Sequence, residues 1–166
     1  MKRPVARRER AFTFVEVMGA AMLVAVFLSG AFYANSRGLN MLRASRETAI
    51  ASKVLQERME VLRGTNWADI TDASSIQAIY ATGTNADKGL APVAETVTIS
   101  AWPTATTSIQ ISRSTAGTAT IVSDNVSLID GATALLVTTR VSWTGAGARP
   151  RARETSTVIA NGGLGL

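Results

Sequence analysis

The longest apolar stretch of the chain covers residues 12–34. It is 23 residues long and contains one charged residue, Glu16, near its start. A helix rises about 1.5 Å per residue, so a helix of this length extends about 35 Å and can cross the roughly 30 Å hydrocarbon core of a bilayer. The pattern therefore predicts a membrane-spanning helix over residues 12–34. A carboxylate inside such a helix is costly, which suggests that Glu16 has a specific partner.

The helical pattern continues beyond the apolar stretch, because residues 39–63 carry apolar side chains in two neighbouring rows at helical spacing. The first row contains Ala51, Leu55, Met59 and Leu62, and the second contains Ile50, Val54 and Val61. Gly64 is a typical helix end. Residues 35–64 are therefore predicted to form the amphipathic half of one long helix, with the apolar rows packed on the rest of the chain.

After residue 90 the apolar residues alternate, which indicates β-strands. Five segments are predicted as strands, namely residues 93–102, 108–112, 118–123, 134–144 and 153–160, with a turn-rich hairpin tip at 145–152. Residues 65–90 are predicted to be a connecting loop with about one helical turn. The expected fold class is α+β, with the long helix packed on a small antiparallel sheet formed by residues 91–166. The sheet face away from the helix is expected to carry Thr, Ser and Arg.

The residues before the apolar stretch are basic. Lys2, Arg3, Arg7, Arg8 and Arg10 precede the predicted span, and Arg37, Arg43 and Arg46 follow it. The excess of positive charge on the N-terminal side favours a cytoplasmic N-terminus, which places residues 35–166 in the periplasm or outside the cell. The apolar stretch is longer than the 7–15 residues typical of a secretory signal, so we expect it to be retained.

The sequence AFTFVE at residues 11–16 resembles the processing site of type IV prepilins and type II secretion pseudopilins. In that family a membrane peptidase cuts before an aromatic or bulky residue and methylates the new N-terminus, and the fifth mature residue is glutamate. Counting from Phe12, the fifth residue is Glu16. The resemblance implies that residues 1–11 are a cleaved leader, that the cut falls between Ala11 and Phe12, and that Phe12 becomes N-methylated. Ala11 stands where the family usually has glycine.

The resemblance also implies a pilin-like fold and a structural function. The end of the helix, residues 51–63, and the closing hairpin, with its segments 141–143 and 157–162, are similar to those of minor pilins and small tip pseudopilins. The expected role is that of a minor pilin in a type IV pilus-like fibre, inserted once in the inner membrane with a periplasmic C-terminal domain before assembly. The alternative is a type II secretion pseudopilin. The implied partners are other pilin subunits, the prepilin peptidase, the inner-membrane assembly platform and membrane lipid.

Glu16 has two interpretations. Near the end of a membrane helix, a carboxylate can reach the headgroups and be solvated there. The resemblance implies instead that it pairs with the N-terminal amine of a neighbouring subunit, which carries a positive charge at neutral pH. Gly19, Gly30 and Gly38 each lower the helix propensity of the segment by about 1 kcal/mol relative to alanine. Gly19 and Gly30 have two interpretations, close helix packing in lipid or local melting or bending when the helix moves from bilayer to fibre.

The amino-acid composition reduces the number of functions that the chain is expected to have. The chain has a net charge of +5, of which the leader contributes five basic residues and Glu9, so residues 12–166 carry only +1. There is no cysteine and no histidine, which removes disulfides and the common zinc, general-base and thiolate chemistry. We therefore expect neither an enzyme nor a cofactor or metal site. A membrane-tethered enzyme would depend on isolated carboxylates such as Asp124 and Asp130, which usually serve turns.

A binding function is a further alternative. Arg149, Arg151 and Arg153 occupy alternate positions near the predicted hairpin tip, with Arg140 and Trp143 on the preceding strand. Arginines beside an aromatic residue can hold a nucleic-acid backbone, as expected of a DNA-binding minor pilin in an uptake pilus. The competing interpretation is a solvated loop whose charge confers solubility.

Overall fold

The described residues form one long helix, two short helices and five strands. The computed structural model describes residues 13–84, 90, 93–104, 106–145 and 148–162. The helices are α1 (Phe14–Gly64), α2 (Trp67–Ile70) and α3 (Ala73–Ala81). The strands are β1 (Val93–Ala101), β2 (Thr107–Arg113), β3 (Ala119–Asp124), β4 (Ala134–Gly145) and β5 (Arg149–Ala160), with a single 3-10 turn (Val126–Leu128) before β4. The predicted α+β class is confirmed, and α1 ends at the predicted glycine.

The chain forms two compact units, Met1–Leu42 and Arg43–Leu166. Over its described residues, the first unit consists of Thr13 and the part of α1 that ends at residue 42. The second unit contains the rest of α1, both short helices and the whole sheet.

The five strands form one antiparallel sheet in the order β3-β2-β1-β4-β5. The central strand β1 has buried side chains at alternate positions from residue 93 to residue 99, as a sheet with one covered face requires. Glu95 on β1 lies opposite Arg113 on β2 and Val141 on β4. This register places two charged residues side by side on the covered face.

The covered face of the sheet packs on α1, α2 and α3 through two apolar clusters. The first cluster combines Leu62 of α1 with residues of α2, α3 and strands β1 to β4. The second combines Ala51, Val54 and Leu55 with residues of β1 and β4. The predicted apolar row of α1 is confirmed, because Ala51, Leu55, Met59 and Leu62 are all buried. Of the second row, Val54 is buried, Ile50 is half-buried and Val61 is exposed.

The segment predicted as a loop with about one helical turn, residues 65–90, contains both α2 and α3 and is therefore more helical than predicted. Each helix has a side-chain N-cap: Asn66 Oδ1 accepts from the amide of Asp69 (2.9 Å), and Asp72 Oδ2 accepts from the amide of Ser75 (2.9 Å). Hydrogen bonds from Ser74 and Ser75 lower the pKa of Asp72 to about 2. The two helices fold against the sheet because they carry four apolar residues that are fully removed from water, Ile70, Ala73, Ile76 and Tyr80.

The hairpin between β4 and β5 is tighter than predicted. β5 begins at Arg149, opposite Gly145, and not at Arg153. Within the predicted tip 145–152, residues 146 and 147 lie outside the described part of the chain, and Ala148 has a positive φ of 56°. Pro150 is tolerated inside β5 because β5 is an edge strand, where a missing backbone donor breaks no ladder.

Candidate functional site

The first turn of α1 is closed by Thr13. The backbone amide of Glu16 donates to the carbonyl oxygen of Thr13 (3.0 Å) and to its Oγ1 (3.3 Å). A threonine followed three residues later by glutamate is the capping-box pattern, and an acidic side chain in the first turn is favoured by the helix dipole. Glu16 is exposed, so its carboxylate is open to a partner outside the chain. The predicted cleavage residues Ala11 and Phe12 lie outside the described residues.

The N-terminal part of α1 exposes its apolar side chains on every side. The exposed large residues up to position 42 are Phe14, Val15, Val17, Met18, Met22, Leu23, Val24, Val26, Phe27, Leu28, Phe32, Tyr33, Leu39, Met41 and Leu42. This helix is long and apolar enough to cross a membrane, and none of its most apolar window is buried within the protein. Exposed apolar surface costs about 25 cal/mol per Å² in water, so this surface is unfavourable in contact with water and favourable in contact with lipid or other apolar surfaces.

α1 passes through Gly19, Gly30 and Gly38 without interruption. A Cβ atom added at any of the three would meet nothing within 4 Å. Among the residues that the structure describes, none comes close enough to require glycine at these positions, so both interpretations of Gly19 and Gly30 involve the surroundings of the helix.

The three arginines considered for nucleic-acid contact lie on β5, on the covered side of the sheet. Their register partners on β4 are Gly145, Trp143 and Val141, and directly opposed residues share a face. Arg153 Nη1 donates to Ser52 Oγ on α1 at 3.1 Å. The prediction that the arginines lie on the face away from the helix is therefore wrong for Arg149, Arg151 and Arg153. It holds for Arg140, whose exposed Nη1 lies 4.0 Å from Glu154 Oε2.

Trp143, the aromatic residue predicted to lie beside these arginines, is not exposed for base stacking. Its side chain is only 6% exposed, and its Nε1 donates to Glu47 Oε2 on α1 at 3.3 Å. Base stacking requires an accessible ring face. The arginine–aromatic combination that suggested a nucleic-acid site is thus not presented on one open surface.

A buried cluster of charged residues joins α1 to the sheet. Arg58 donates from Nε to Glu95 Oε2 (2.7 Å) and from Nη2 to Glu95 Oε1 (2.9 Å), a bidentate pair. Arg113 Nη1 donates to Glu95 Oε1 at 2.8 Å. Arg58 is 4% exposed and Glu95 is 0% exposed, so the carboxylate is held between two guanidinium groups away from water.

The remaining donors of Arg58 reach the end of α3. Its Nη1 donates to the carbonyl of Ile79 (2.9 Å), and its Nη2 also donates to the carbonyl of Thr82 (2.8 Å). The guanidinium carbon lies 4.4 Å from the ring centroid of Tyr80, a cation–π distance. Carbonyl groups near a helix C-terminus carry partial negative charge, so the arginine also complements the end of α3.

Tyr80 is enclosed by the same structure. Its hydroxyl shares a 3.1 Å hydrogen bond with Thr139 Oγ1 on β4. Burial raises the pKa of Tyr80 well above its usual value, because the phenolate would be poorly solvated there. The hydroxyl therefore stays protonated over the ordinary pH range.

Along both α1 and β1, the charged cluster lies between residues of the two apolar clusters. On α1, Arg58 separates Leu55 from Leu62, and on β1, Glu95 separates Val93 from Val97. A buried ion pair adds little net stability, but removal of one member is strongly destabilising. The cluster therefore acts mainly by fixing how α1 lies along the sheet.

No functional role is predicted from the sequence for Arg58, Glu95 or Arg113. A signal was present, because Glu95 occupies an inward position in the alternation with Val93 and Val97. Arg113 likewise continues the inward alternation of Ile109 and Ile111. A charged residue at an inward position is expected to have a buried partner. The identity of that partner depends on the strand register.

The chemistry available in the described ranges is limited. They contain no group of three or more acidic residues placed to hold a metal ion. A pocket of about 500 Å³ borders Arg58 and is lined in part by Glu57, Glu60 and Thr82. The arginine itself is engaged by Glu95 and by two carbonyls, so it is not directed at a ligand.

Comparisons of the chain with protein-family models, curated proteins and solved structures find no match. The functional interpretation therefore depends on the architecture and the side-chain geometry. The resemblance to prepilins is a hypothesis from the sequence, carried by the basic leader, the junction at residues 11–16 and the apolar helix that follows.

Replacement of the buried carboxylate should destabilise the second unit. Glu95→Gln leaves Arg58 and Arg113 without their counter-charge, and we expect the free energy of unfolding to fall by about 3–5 kcal/mol. Urea unfolding of the full chain in detergent, followed by tryptophan fluorescence, measures the change. The matched control is Glu154→Gln, which removes a carboxylate from an exposed pair and should cost about 1 kcal/mol or less. Equal losses in the two variants would contradict the role of the cluster.

Tyr80 should make the protein sensitive to alkali. Its pKa is raised in the folded state, so the folded protein holds the proton more tightly than the unfolded chain. The stabilisation is complete below the unfolded pKa of about 10 and declines as pH rises above that value. Tyr80→Phe should reduce this decline, whereas Tyr33→Phe, which changes an exposed tyrosine, should not. The free energy of unfolding of the three proteins is measured from pH 8 to 11.5. The role of Tyr80 would be refuted if the free energy of unfolding of Tyr80→Phe fell with pH as steeply as that of the unsubstituted protein.

Proposed function

We propose that this chain is a structural subunit of a type IV pilus-like fibre, a minor pilin that assembles through its apolar N-terminal helix. The observation that carries the proposal is the division of α1. Residues 14–42 expose apolar side chains, while the row Ala51, Leu55, Met59 and Leu62 is buried within the same chain. The second half of the helix is thus occupied within the subunit, and the first half is available to lipid and then to other subunits.

Before assembly, the helix holds the subunit in the inner membrane. The basic leader keeps the N-terminus in the cytoplasm, and the second unit lies in the periplasm. The prepilin peptidase removes residues 1–11, cutting between Ala11 and Phe12, and methylates the amine of Phe12. Neither step uses a catalytic group of this chain, which has no cysteine or histidine.

Within the fibre, Glu16 pairs with the N-terminal amine of a neighbouring subunit. A buried carboxylate without a partner is costly, and pairing with a cation removes most of that cost. The pair therefore selects correctly staggered neighbours more than it adds stability. The capping interaction with Thr13 supports this role, because it fixes the first turn from which the exposed carboxylate projects.

The same architecture fits a pseudopilus of a type II secretion system, the alternative noted from sequence. Both fibres use an apolar N-terminal helix that is processed before assembly. The subunits that neighbour this chain in its native fibre distinguish the two, because they belong either to a pilus or to a secretion machine.

Substitutions at Glu16 test the pairing. Glu16→Gln removes the charge and keeps an amide that suits the capping-box position, so the helix start is preserved. We expect this variant to insert in the membrane and to be processed, but to enter fibres about tenfold less or worse, because a charge-assisted hydrogen bond contributes about 1.5–3 kcal/mol. Immunoblots of sheared fibres and of membranes measure both pools.

The matched control for this experiment is Glu60→Gln, which neutralises an exposed carboxylate in the second half of α1. It should enter fibres at the level of the unsubstituted subunit. Normal incorporation of Glu16→Gln would show that the carboxylate has no part in assembly.

A further inference from the structure

Five arginines and one glutamate lie on the two elements that converge at one end of the second unit, the first residues of α1 in that unit and the β4–β5 hairpin. We call this surface the basic end, and it consists of Arg43, Arg46, Glu47, Arg149, Arg151 and Arg153. A Cβ built on Gly145 would lie 2.7 Å from both Arg151 Nε and Glu47 Oε2, so the helix and the hairpin converge at this point. Arg149 lies opposite the same glycine.

The other arginines of the basic end are placed by the same two elements. Arg43 precedes Glu47 by four residues, one helical turn, and so lies on the same face of α1. Arg43, Arg46, Arg149 and Arg153 are exposed, and Arg151 is half-buried. Along β5, alternate residues lie about 6.6 Å apart, so the three strand arginines form a row about 13 Å long.

The basic end gives the second unit a strong charge asymmetry. Residues 43–166 contain 11 basic and 10 acidic residues, a net charge of +1. The basic end contributes five positive charges and one negative charge, hence +4, and the remaining six basic and nine acidic residues give −3. The small net charge thus conceals a domain with one positive end, which an anionic surface would attract and orient.

The position of the basic end along the chain identifies that surface. If residues 12–34 span the bilayer, as the proposed function requires, Arg43 follows the end of the span by nine residues. Even fully extended, nine residues reach no more than about 32 Å. The connection therefore keeps Arg43 within about 32 Å of the end of the span, and the resulting high local concentration of headgroups compensates for weak individual contacts.

We propose that the basic end binds anionic phospholipid headgroups while the subunit is held in the membrane. Guanidinium groups match phosphate oxygens in a bidentate geometry, and several basic groups close to an anionic leaflet act together. A nucleic acid fits less well, because Trp143 is buried and offers no stacking face. The contact would hold the second unit against the membrane until the helix is drawn into a fibre.

The test uses the full chain in lipid nanodiscs with a single fluorescent label. The chain has no cysteine, so Ala152→Cys places a unique label beside Arg151, and Ala68→Cys places a control label on α2. Both alanines are exposed. The discs contain phosphatidylcholine alone or with phosphatidylglycerol, together with a headgroup-linked nitroxide that quenches nearby fluorophores.

We expect stronger quenching at position 152 in the anionic discs than in the neutral discs, and no such difference at position 68. In about 1 M salt, where the Debye length is about 3 Å, the difference should disappear. The triple variant Arg43→Gln, Arg46→Gln, Arg149→Gln should lose most of it, because it removes three exposed charges and leaves the Arg153–Ser52 contact in place. The matched variant Lys53→Gln, Arg63→Gln, Arg140→Gln removes three exposed charges elsewhere and should retain it.

Three results would overturn the proposal. Quenching at position 152 that is independent of lipid charge shows that the arginines do not bind the headgroups. Salt-sensitive binding of duplex DNA that depends on the same arginines, with no lipid effect, assigns the surface to nucleic acid. Failure of the protein to remain in the discs refutes the membrane span, and with it the proposed function, and is recognised before any quenching is measured.

Discussion

One helix of this protein must satisfy two different surroundings, and the rest of the structure follows from that constraint. From residue 51 to residue 62, α1 buries an apolar row against the sheet of its own chain. Up to residue 42, the large apolar side chains of α1 are exposed and are not buried by other described residues of the chain. Hydrophobic surface of this extent is stable only in lipid or among other apolar helices. The proposed function would supply both environments, the bilayer before assembly and the other subunits within the fibre.

The second half of α1 needs a fixed position on the sheet, and apolar packing alone specifies that position weakly. Val54, Arg58 and Leu62 follow one another at four-residue spacing, so a shift of one helical turn would place an apolar side chain where Arg58 meets Glu95. The carboxylate would then be buried without its bidentate partner, which is costly. The Arg58–Glu95–Arg113 cluster thus converts a continuous apolar contact into one with a defined register, and Tyr80 connects it to α3.

Much of this architecture could be predicted from the sequence, because strand alternation and the helical apolar row are local patterns. The strands were placed to within a few residues, apart from the start of β5, where Pro150 suggested a turn but an edge strand accommodates it. The short helices α2 and α3 are not evident from the sequence, because four and nine residues are too few to show the helical period of apolar residues clearly. The face of the arginines on β5 and the partners of Glu95 depend on strand register, which a single sequence does not determine.

As an assembly segment, residues 12–34 would stay in the mature subunit, and cleavage between Ala11 and Phe12 would remove the leader in front of them. The decisive measurement is the intact mass of the protein isolated from membranes and fibres of its native host. The proposed function requires a polypeptide that begins at Phe12 and carries one added methyl group at its N-terminus. A fibre subunit that retains residues 1–11, or a polypeptide that begins after Tyr33, would be incompatible with it.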